Sequence, residues 1–314
     1  MNFGFVSDFD IRISYFRFTM MAFKSGYISI LGRPNVGKST LFNRLLGEKM
    51  AIVAETPQTT RNRILGILHG KGGQLIFMDT PGIHEGRTEL NQRMVKTALA
   101  SGQDADVLLF LIEVPSPPIE KDRQMIGSLK GSRGVPFLLI NKIDRVKKET
   151  LLPIMDQYRR LHPFEKILPI SAATGEGVDL LLEEILKVLP ESPPYYPEDM
   201  MTDQTERFLV SEMIREKVIR HCYQEIPYST AVTIEAFQER SEKNLVVING
   251  TIHVEKSSQR KIVIGKGGQM LKKIGEAARK EVEALLGKRV FLELWVNVEQ
   301  NWTHDPRALN RLGY

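Results

Sequence analysis

The sequence predicts an α/β protein in which a doubly wound, mostly parallel sheet is followed by a smaller α+β domain. From Gly26 to about Leu189, short apolar runs alternate with longer amphipathic stretches, which is typical of βαβ crossovers. The later part has an amphipathic helix, two apolar strands, a second long helix and a last alternating strand. The length of 314 residues suits two domains of roughly 100–200 residues each.

The apolar runs of the first domain are too continuous for half-exposed strands and indicate a parallel sheet covered on both faces. The strands we expect are Tyr27–Leu31, Leu75–Met78, Val107–Val114, Phe137–Ile140 and Ile167–Ile170, with crossover helices such as Ser39–Leu46 and Leu90–Ala100. In the second domain we expect helix Gln204–Cys222, an antiparallel pair Thr230–Phe237 and Leu245–Val254, helix Met270–Leu286 and strand Phe291–Val298.

Four prolines between 190 and 197 cannot continue a helix and indicate an extended connection between the domains. Residues 1–22 are rich in Phe and have no clear period; we expect a disordered arm, or a true start at Met20 or Met21. In chain order we expect an N-terminal extension at 1–22, a first domain at 23–189, a Pro-rich linker at 190–199 and a second domain at 200–314.

Composition and charge narrow the classes of function. Hydrophobic residues are 42% and charged residues 26% of the chain, ordinary for a globular protein. The apolar run Val107–Ile112 falls far short of the roughly 18 residues that cross a bilayer. Cys222 is the only cysteine, which excludes an internal disulfide and favours a reducing cytoplasm.

The positive charge is concentrated in one segment. The net charge is +5, yet residues 256–289 carry ten Lys and Arg against three Glu, a local excess of seven, so the rest of the chain is slightly acidic. A basic surface of this kind suits nucleic acid or an anionic membrane as a partner.

The strongest motif is Gly32-Arg33-Pro34-Asn35-Val36-Gly37-Lys38-Ser39, which follows a predicted strand and opens a predicted helix. Its glycines let backbone N–H groups surround phosphates, and the helix N-terminus adds a positive dipole. Lys38 is expected to reach the β and γ phosphates, while the Ser39 hydroxyl ligates Mg²⁺. The nucleotide-binding residues expected here are Gly32, Asn35, Gly37, Lys38, Ser39 and Thr40.

A second motif, Asn141-Lys142-Ile143-Asp144, identifies the base. It follows a predicted strand, at the sheet edge where open α/β folds bind ligands. The carboxylate of Asp144 can accept from both guanine N1–H and the exocyclic amine, and adenine offers no such pair. We therefore expect Asn141, Lys142 and Asp144 at a guanine, which disfavours an ATPase.

Further segments complete the predicted site. Asp79-Thr80-Pro81-Gly82 ends a strand, and its Asp79 can hold Mg²⁺ through water while the Gly82 N–H meets the γ-phosphate. The segment Ser171-Ala172-Ala173 follows another strand and can direct backbone N–H groups at the guanine carbonyl, and we expect Ser171 and Ala172 among the nucleotide-binding residues.

A switch loop should lie at residues 56–61, where one threonine ligates Mg²⁺ when GTP is bound. We favour Thr60 over Thr59. The expected metal ligands are thus Ser39, Thr60 and Asp79, and the expected catalytic groups are Lys38, Thr60 and Gly82.

In the second domain, the glycine-rich segment Gly265-Lys266-Gly267-Gly268 follows the apolar residues 262–264 and precedes the long helix. A Gly-x-x-Gly loop with a basic residue brings backbone close to a nucleic-acid backbone. The element order around it resembles a type II KH domain, which makes this loop the expected RNA site. The RNA-binding residues expected are Gly265, Lys266, Gly267, Gly268, Lys272 and Lys273; Trp302 and Arg307 either stack on bases or serve as packing and surface residues.

Together the motifs resemble the Era family of GTPases, a P-loop GTPase domain followed by a type II KH domain, and the resemblance covers Gly26 to the C-terminus. It implies hydrolysis of GTP to GDP and phosphate with Mg²⁺, binding to the 3′ end of small-subunit ribosomal RNA, and assistance in small-subunit assembly. It implies a cytoplasmic monomer, with peripheral contact at the inner membrane as a further location.

Ile83 departs from Ras-like proteins, which carry a water-orienting Gln at this position. An isoleucine cannot polarise water, so we expect slow intrinsic hydrolysis with the water oriented by backbone, another residue or a partner. His84 is either such a base or a solvated loop histidine. Three alternatives remain open: a non-enzymatic RNA chaperone, a membrane-surface switch acting on a protein partner, and the disfavoured ATPase.

Overall fold

The computed structural model describes residues 23–314 except residues 55, 57, 58, 71, 83–87, 116, 129, 130, 241 and 243. The expectations for the N-terminal extension, for Ile83 and for His84 fall on residues outside this description. Within the described chain, no helix is long and apolar enough to cross a membrane.

The described residues of the first domain form a six-stranded sheet in the order β2-β3-β1-β4-β5-β6. Its strands are β1 Lys24–Gly32, β2 Ile64–Gly70, β3 Gly73–Asp79, β4 Val107–Glu113, β5 Val135–Asn141 and β6 Lys166–Pro169. All neighbouring pairs are parallel except β2 with β3, which is antiparallel. The predicted doubly wound, mostly parallel sheet is confirmed, but the strand β2 was not predicted.

Helices cover both faces of this sheet. They are α1 Lys38–Leu46, α2 Glu89–Gln103, α3 Glu120–Ser128, α4 Leu151–Arg159 and α5 Val178–Val188. One face buries Phe42 of α1 and Ile185 of α5, and the other buries Met125 of α3 and Tyr158 of α4. Burial on both faces explains why the strand sequences are continuously apolar.

The second domain places its helices on one face of a three-stranded sheet, β7-β8-β9. Its elements are α6 Glu206–His221, β7 Ala231–Arg240, β8 Leu245–Val254, α7 Ser257–Ile264, α8 Gln269–Leu286 and β9 Arg289–Val298. β7 and β8 pair antiparallel, whereas β8 and β9 pair parallel. The expected α+β domain of KH type is confirmed.

The segment that was expected to be a linker at 190–199 lies on the first domain instead. The side-chain oxygen of Gln74, which is fully buried, accepts from the backbone N–H of Tyr195 at 2.7 Å and of Tyr196 at 3.1 Å. Further along, Thr202 donates to the Leu65 carbonyl at 2.6 Å. A buried amide requires such partners. The bound segment thus extends past 200, where we expected the second domain to begin.

The end of the described chain also differs from expectation. A helix α9, Pro306–Leu312, follows the last strand, and the Trp302 side chain is fully buried. Trp302 packs in one apolar cluster with Leu309 and with Leu90 and Met94 of α2. Of the two alternatives for Trp302, the structure supports packing and contradicts base stacking, whereas Arg307 is exposed.

Candidate active site and nucleic-acid interface

The phosphate loop lies between β1 and α1, as its motif predicted. Gly37 has φ 103° and provides the N-cap of α1 without a side-chain cap. The first N–H groups of α1 are therefore left for an anion. A Cβ at Gly37 would stand 2.3 Å from Asn141 Nδ2, so this position requires glycine for both conformation and space.

Lys38 is buried beneath this loop. Its ammonium donates to the carbonyls of Gly32 at 3.1 Å and Arg33 at 2.9 Å. Burial lowers the pKa of Lys38 to about 8, an effect that the nearby Asp79 carboxylate opposes. The ammonium is thus held by carbonyls of the loop, and the phosphates of a nucleotide are the anionic partner that would bind there.

The three expected metal ligands come together. The hydroxyls of Ser39 and Thr60 lie 2.8 Å apart and both donate to Asp79 Oδ2, at 2.8 and 2.9 Å. Asp79 is fully buried, and its Oδ1 has no partner of good hydrogen-bond geometry among the described residues. Burial raises the pKa of Asp79, against the effect of Lys38.

This donor set fits Mg²⁺, a hard cation that takes oxygen ligands and few protein groups. The Thr60 hydroxyl is at the set, whereas the Thr59 carbonyl accepts from Arg215 of the second domain.

Asn141 connects three loops of the site. Its Nδ2 donates to the Val36 carbonyl at 2.7 Å, and its Oδ1 accepts from the Ala172 N–H at 2.9 Å. The Ser171 N–H donates to the Glu176 carbonyl at 2.9 Å. The Ser171 and Ala172 N–H groups therefore hold the loop itself in this structure, and Asn141 positions that loop against the phosphate loop.

Asp144 is exposed at the same sheet edge, with one carboxylate oxygen held. The buried Ser171 hydroxyl donates to Asp144 Oδ1 at 2.6 Å. Lys142, in the left-handed conformation with φ 67°, lies over the phosphate loop, donating to the Asn35 carbonyl at 2.8 Å and pairing with Glu113. The Ser171 hydroxyl thus orients Asp144 through Oδ1 and leaves Oδ2 outside that hydrogen bond.

Residues of both domains line the nucleotide cavity. The sequence did not predict that the second domain would contribute to it. The cavity measures about 1120 Å³, and Thr40, Gly82 and Lys142 line it on the first domain. Tyr223 and Tyr228 line it from the second domain. No motif marks these two residues, because their position depends on how the domains pack.

A buried ion pair anchors the start of the phosphate loop and was also not predicted. Arg33 Nε lies 2.9 Å from Asp122 Oδ1, and the Tyr158 hydroxyl donates to Asp122 Oδ2 at 2.9 Å. Asp122 is fully buried. The pair ties the loop to α3 and α4, and nothing in the local sequence indicates it.

The Gly-x-x-Gly loop joins α7 to α8 at the surface. Gly265, Gly267 and Gly268 all have positive φ, at 73°, 58° and 79°. An added Cβ at Gly267 or Gly268 would meet nothing within 4 Å. Lys266 lies within the loop, Lys272 and Lys273 lie near the start of α8, and all three are exposed.

Comparison with known proteins follows the same division. Residues 27–142 match the family described as 50S ribosome-binding GTPase, and residues 225–303 match the KH domain family. The chain is 55% identical over 292 residues to GTPase Era of Syntrophus aciditrophicus, covering 93% of this chain and 95% of that protein. It is 51% identical to GTPase Era of Geobacter metallireducens, covering 93% and 98%.

Two solved structures share the complete fold. An Era in complex with MgGDPNP and nucleotides 1506–1542 of 16S ribosomal RNA has a TM-score of 0.90 and 41% identity, with coverage of 93% of this chain and 99% of the other. An Era variant of Aquifex aeolicus bound to GDP·AlF₄⁻ has the same values.

The fold and site define a P-loop GTPase carrying a KH domain. The chain belongs to the Era family of GTPases, enzymes that hydrolyse GTP to GDP and phosphate.

Proposed function

We propose that this GTPase is a cytoplasmic switch that binds the 3′ end of small-subunit ribosomal RNA and assists assembly of the small ribosomal subunit. The observation that carries the proposal is the match across both domains to an Era that holds MgGDPNP and nucleotides 1506–1542 of 16S ribosomal RNA. Cys222, the only cysteine of the chain, is buried with a free thiol, which agrees with a reducing compartment.

In the first domain, the phosphates of GTP would replace the loop carbonyls as partners of Lys38. Ser39, Thr60 and Asp79 would hold Mg²⁺, which supplies positive charge at the β and γ phosphates. Asp144 would accept from the guanine edge with the oxygen that Ser171 leaves unused. Asn141, fixed between the phosphate loop and Ala172, would keep the base and phosphate subsites at a constant separation.

For hydrolysis, the expected catalytic groups are Lys38, Thr60 and Gly82. Gly82 lies against the phosphate loop, because a Cβ there would be 3.0 Å from the Pro34 backbone nitrogen. Its N–H can thus meet a γ-phosphate only while position 82 stays free of a side chain. Removal of the Thr60 or Gly82 group should slow turnover more than it weakens GDP binding. Removal of the Lys38 ammonium should both slow turnover and weaken GDP binding.

In the second domain, the proposed RNA contacts divide by chemistry. The loop Gly265–Gly268 offers backbone for close approach to the RNA strand. Lys266, Lys272 and Lys273 add exposed charge that neutralises phosphates.

The experiment is crosslinking in cells followed by sequencing of the attached RNA. We expect fragments from the 3′ end of small-subunit ribosomal RNA to dominate over the rest of that RNA. The control is a Lys266→Asp, Gly267→Asp variant expressed at the same level, which should lose the enrichment. Enrichment of unrelated RNAs, or retention on anionic vesicles without RNA enrichment, would contradict the proposal.

A further inference from the structure

Arg61 is a buried cation that crosses from the first domain into the second. Its side chain is 3% exposed, and its guanidinium donates to the carbonyls of Pro227 at 3.0 Å, Tyr228 at 2.9 Å and Thr230 at 2.8 Å. A planar guanidinium satisfies several acceptors at once, which a lysine cannot do in the same geometry. The turn at 227–230 is therefore held by one side chain of the switch loop.

Two aromatic rings enclose the same guanidinium. Arg61 Cζ lies 5.6 Å from the ring centroid of Trp302 and 5.3 Å from that of Tyr314, within cation–π range. The rings stack on each other, with centroids 5.7 Å apart. Packing of this kind restricts Arg61 to one position while the two domains remain in this arrangement.

The backbone of Arg61 is bonded directly to one of the expected metal ligands, Thr60. The preceding residue is Thr60, whose hydroxyl contacts both Ser39 and Asp79. Consecutive Cα atoms are about 3.8 Å apart, so Thr60 cannot change its position without displacing the backbone of Arg61. A displacement of the Thr60 backbone is therefore passed to Arg61, whose side chain contacts the turn at 227–230.

The turn continues the connection toward the RNA loop. Ser229 accepts from Gln259 Nε2 through its hydroxyl at 3.0 Å. The side-chain oxygen of Gln259 in turn accepts the N–H groups of Glu255 at 2.9 Å and Lys256 at 3.0 Å, at the start of α7. Helix α7 ends at the first glycine of the Gly265–Gly268 loop.

We propose that Arg61 is the positioning residue that couples the nucleotide site to the RNA loop, and that Ser229 and Gln259 carry this coupling within the second domain. The proposal rests on the proposed function and adds to it the route between its two ligands. Arg61 touches neither ligand; it transmits the position of Thr60.

The test is a thermodynamic cycle on the full chain. RNA affinity is measured with a 3′-end strand of small-subunit ribosomal RNA, once with Mg²⁺ and a non-hydrolysable GTP analogue and once with GDP. The ratio of the two affinities is the coupling factor, typically about 5- to 150-fold between linked sites. Linkage requires that RNA change the affinity ratio of the two nucleotides by the same factor.

Arg61→Gln should reduce the coupling factor to less than about threefold by both routes, since it loses most carbonyl contacts and both ring contacts. Ser229→Ala, which removes the Gln259 contact together with the hydrogen bond that the Ser229 hydroxyl donates to the Glu225 carbonyl, should give an intermediate factor. The matched control is Arg63→Gln, an exposed arginine two residues along the chain, which should keep the factor of the unaltered protein.

Each result decides the proposal. Full coupling in Arg61→Gln would overturn it, and if that variant does not fold, full coupling in Ser229→Ala would do so. Loss of coupling in Arg63→Gln to the same extent would also overturn it. Failure of the proposed function is distinguishable, because then the unaltered protein would not bind the 3′-end strand with either nucleotide.

Discussion

The nucleotide site and the Gly265–Gly268 loop both address phosphates, but they are built in opposite ways. At the nucleotide site, Asp79 is fully buried and Asn141 is 2% exposed, and other groups of the site form hydrogen bonds with Asn141 and with Asp79 Oδ2. At the RNA loop, Lys266 and Gly267 are exposed with open space above the glycine. A ligand of fixed size is matched by enclosed, preorganised groups, whereas a polymer needs an accessible strip of backbone and charge.

The two constructions predict different responses to mutation. In the enclosed site, each group supports its neighbours, so one substitution should change affinity by orders of magnitude or change the ligand. On the open surface, contacts contribute separately and respond to salt, so effects should be smaller and graded.

The largest effect should come from Asp144→Asn. The amide would donate where the carboxylate accepted, so the protein should prefer xanthosine over guanosine nucleotides. Selectivity from polar pairing of this kind reaches about 10⁴-fold. Competition binding of GDP and XDP measures it. Continued preference for GDP would show that Asp144 does not contact the base; unchanged RNA affinity in the XDP-bound state serves as the control.

Lys38→Ala should follow, with GDP affinity reduced about 1000-fold, because two charge-assisted contacts worth about 2 kcal/mol each are lost. Calorimetric titration with Mg²⁺ and GDP measures the change. Lys187→Ala, at an exposed lysine of α5, is the matched control and should bind as the unaltered protein does. A loss of less than tenfold for Lys38→Ala would contradict the phosphate assignment.

At the RNA loop, Lys266→Asp with Gly267→Asp should weaken RNA binding by about tenfold or more. If the loop neutralises about three phosphates, log affinity should fall with log salt at a slope near −2, and the variant should have a shallower slope. Aspartate tolerates the left-handed conformation at 267, so the fold should persist.

The neutral variant Lys266→Gln with Gly267→Asn is the control that separates charge from bulk. It should fall between the unaltered protein and the acidic variant in affinity. Equal salt slopes for all three proteins would place the RNA phosphates elsewhere.

The smallest expected effect is a dependence of GDP affinity on pH. The pKa of Lys38 is about 8 without ligand, and bound phosphates favour its charged form, so binding above pH 8 takes up a proton. GDP affinity should be flat below pH 8 and fall by up to about tenfold per pH unit above it. Titration in two buffers of different ionisation enthalpy should give little uptake at pH 7 and nearly one proton at pH 9. No uptake at pH 9 would mean that Lys38 stays charged without phosphates.

Local motifs and long-range contacts differ in how well the sequence predicts them. The strands, the phosphate loop and the Gly265–Gly268 loop were predictable because each is specified by residues close together in the chain. The antiparallel strand β2 was missed: Gly66 and Gly70 interrupt its apolar run, and its partner β3 lies beyond a short turn.

Contacts between distant segments could not be predicted. The attachment of residues 191–203 uses partners far away in the sequence, among them the buried Gln74 side chain and the Leu65 carbonyl. Burial of Trp302 depends on α2 and on Arg61. Arg61 lies in the predicted switch segment, and nothing in the sequence indicated that its side chain would contact the second domain. Such features require the packing of the two domains to be known.

The most direct test of the central claim is RNA discrimination by the full chain carrying Mg²⁺ and a non-hydrolysable GTP analogue. A strand with the 3′-end sequence of the organism's own small-subunit ribosomal RNA is compared with a scrambled strand of equal length and composition. Equal charge removes the electrostatic contribution from the comparison, so the ratio reports recognition of the sequence. We predict that the 3′-end strand binds at least about tenfold more tightly, a difference of about 1.4 kcal/mol. Equal affinity for the two strands would contradict the claim that this GTPase acts on that end of the ribosomal RNA.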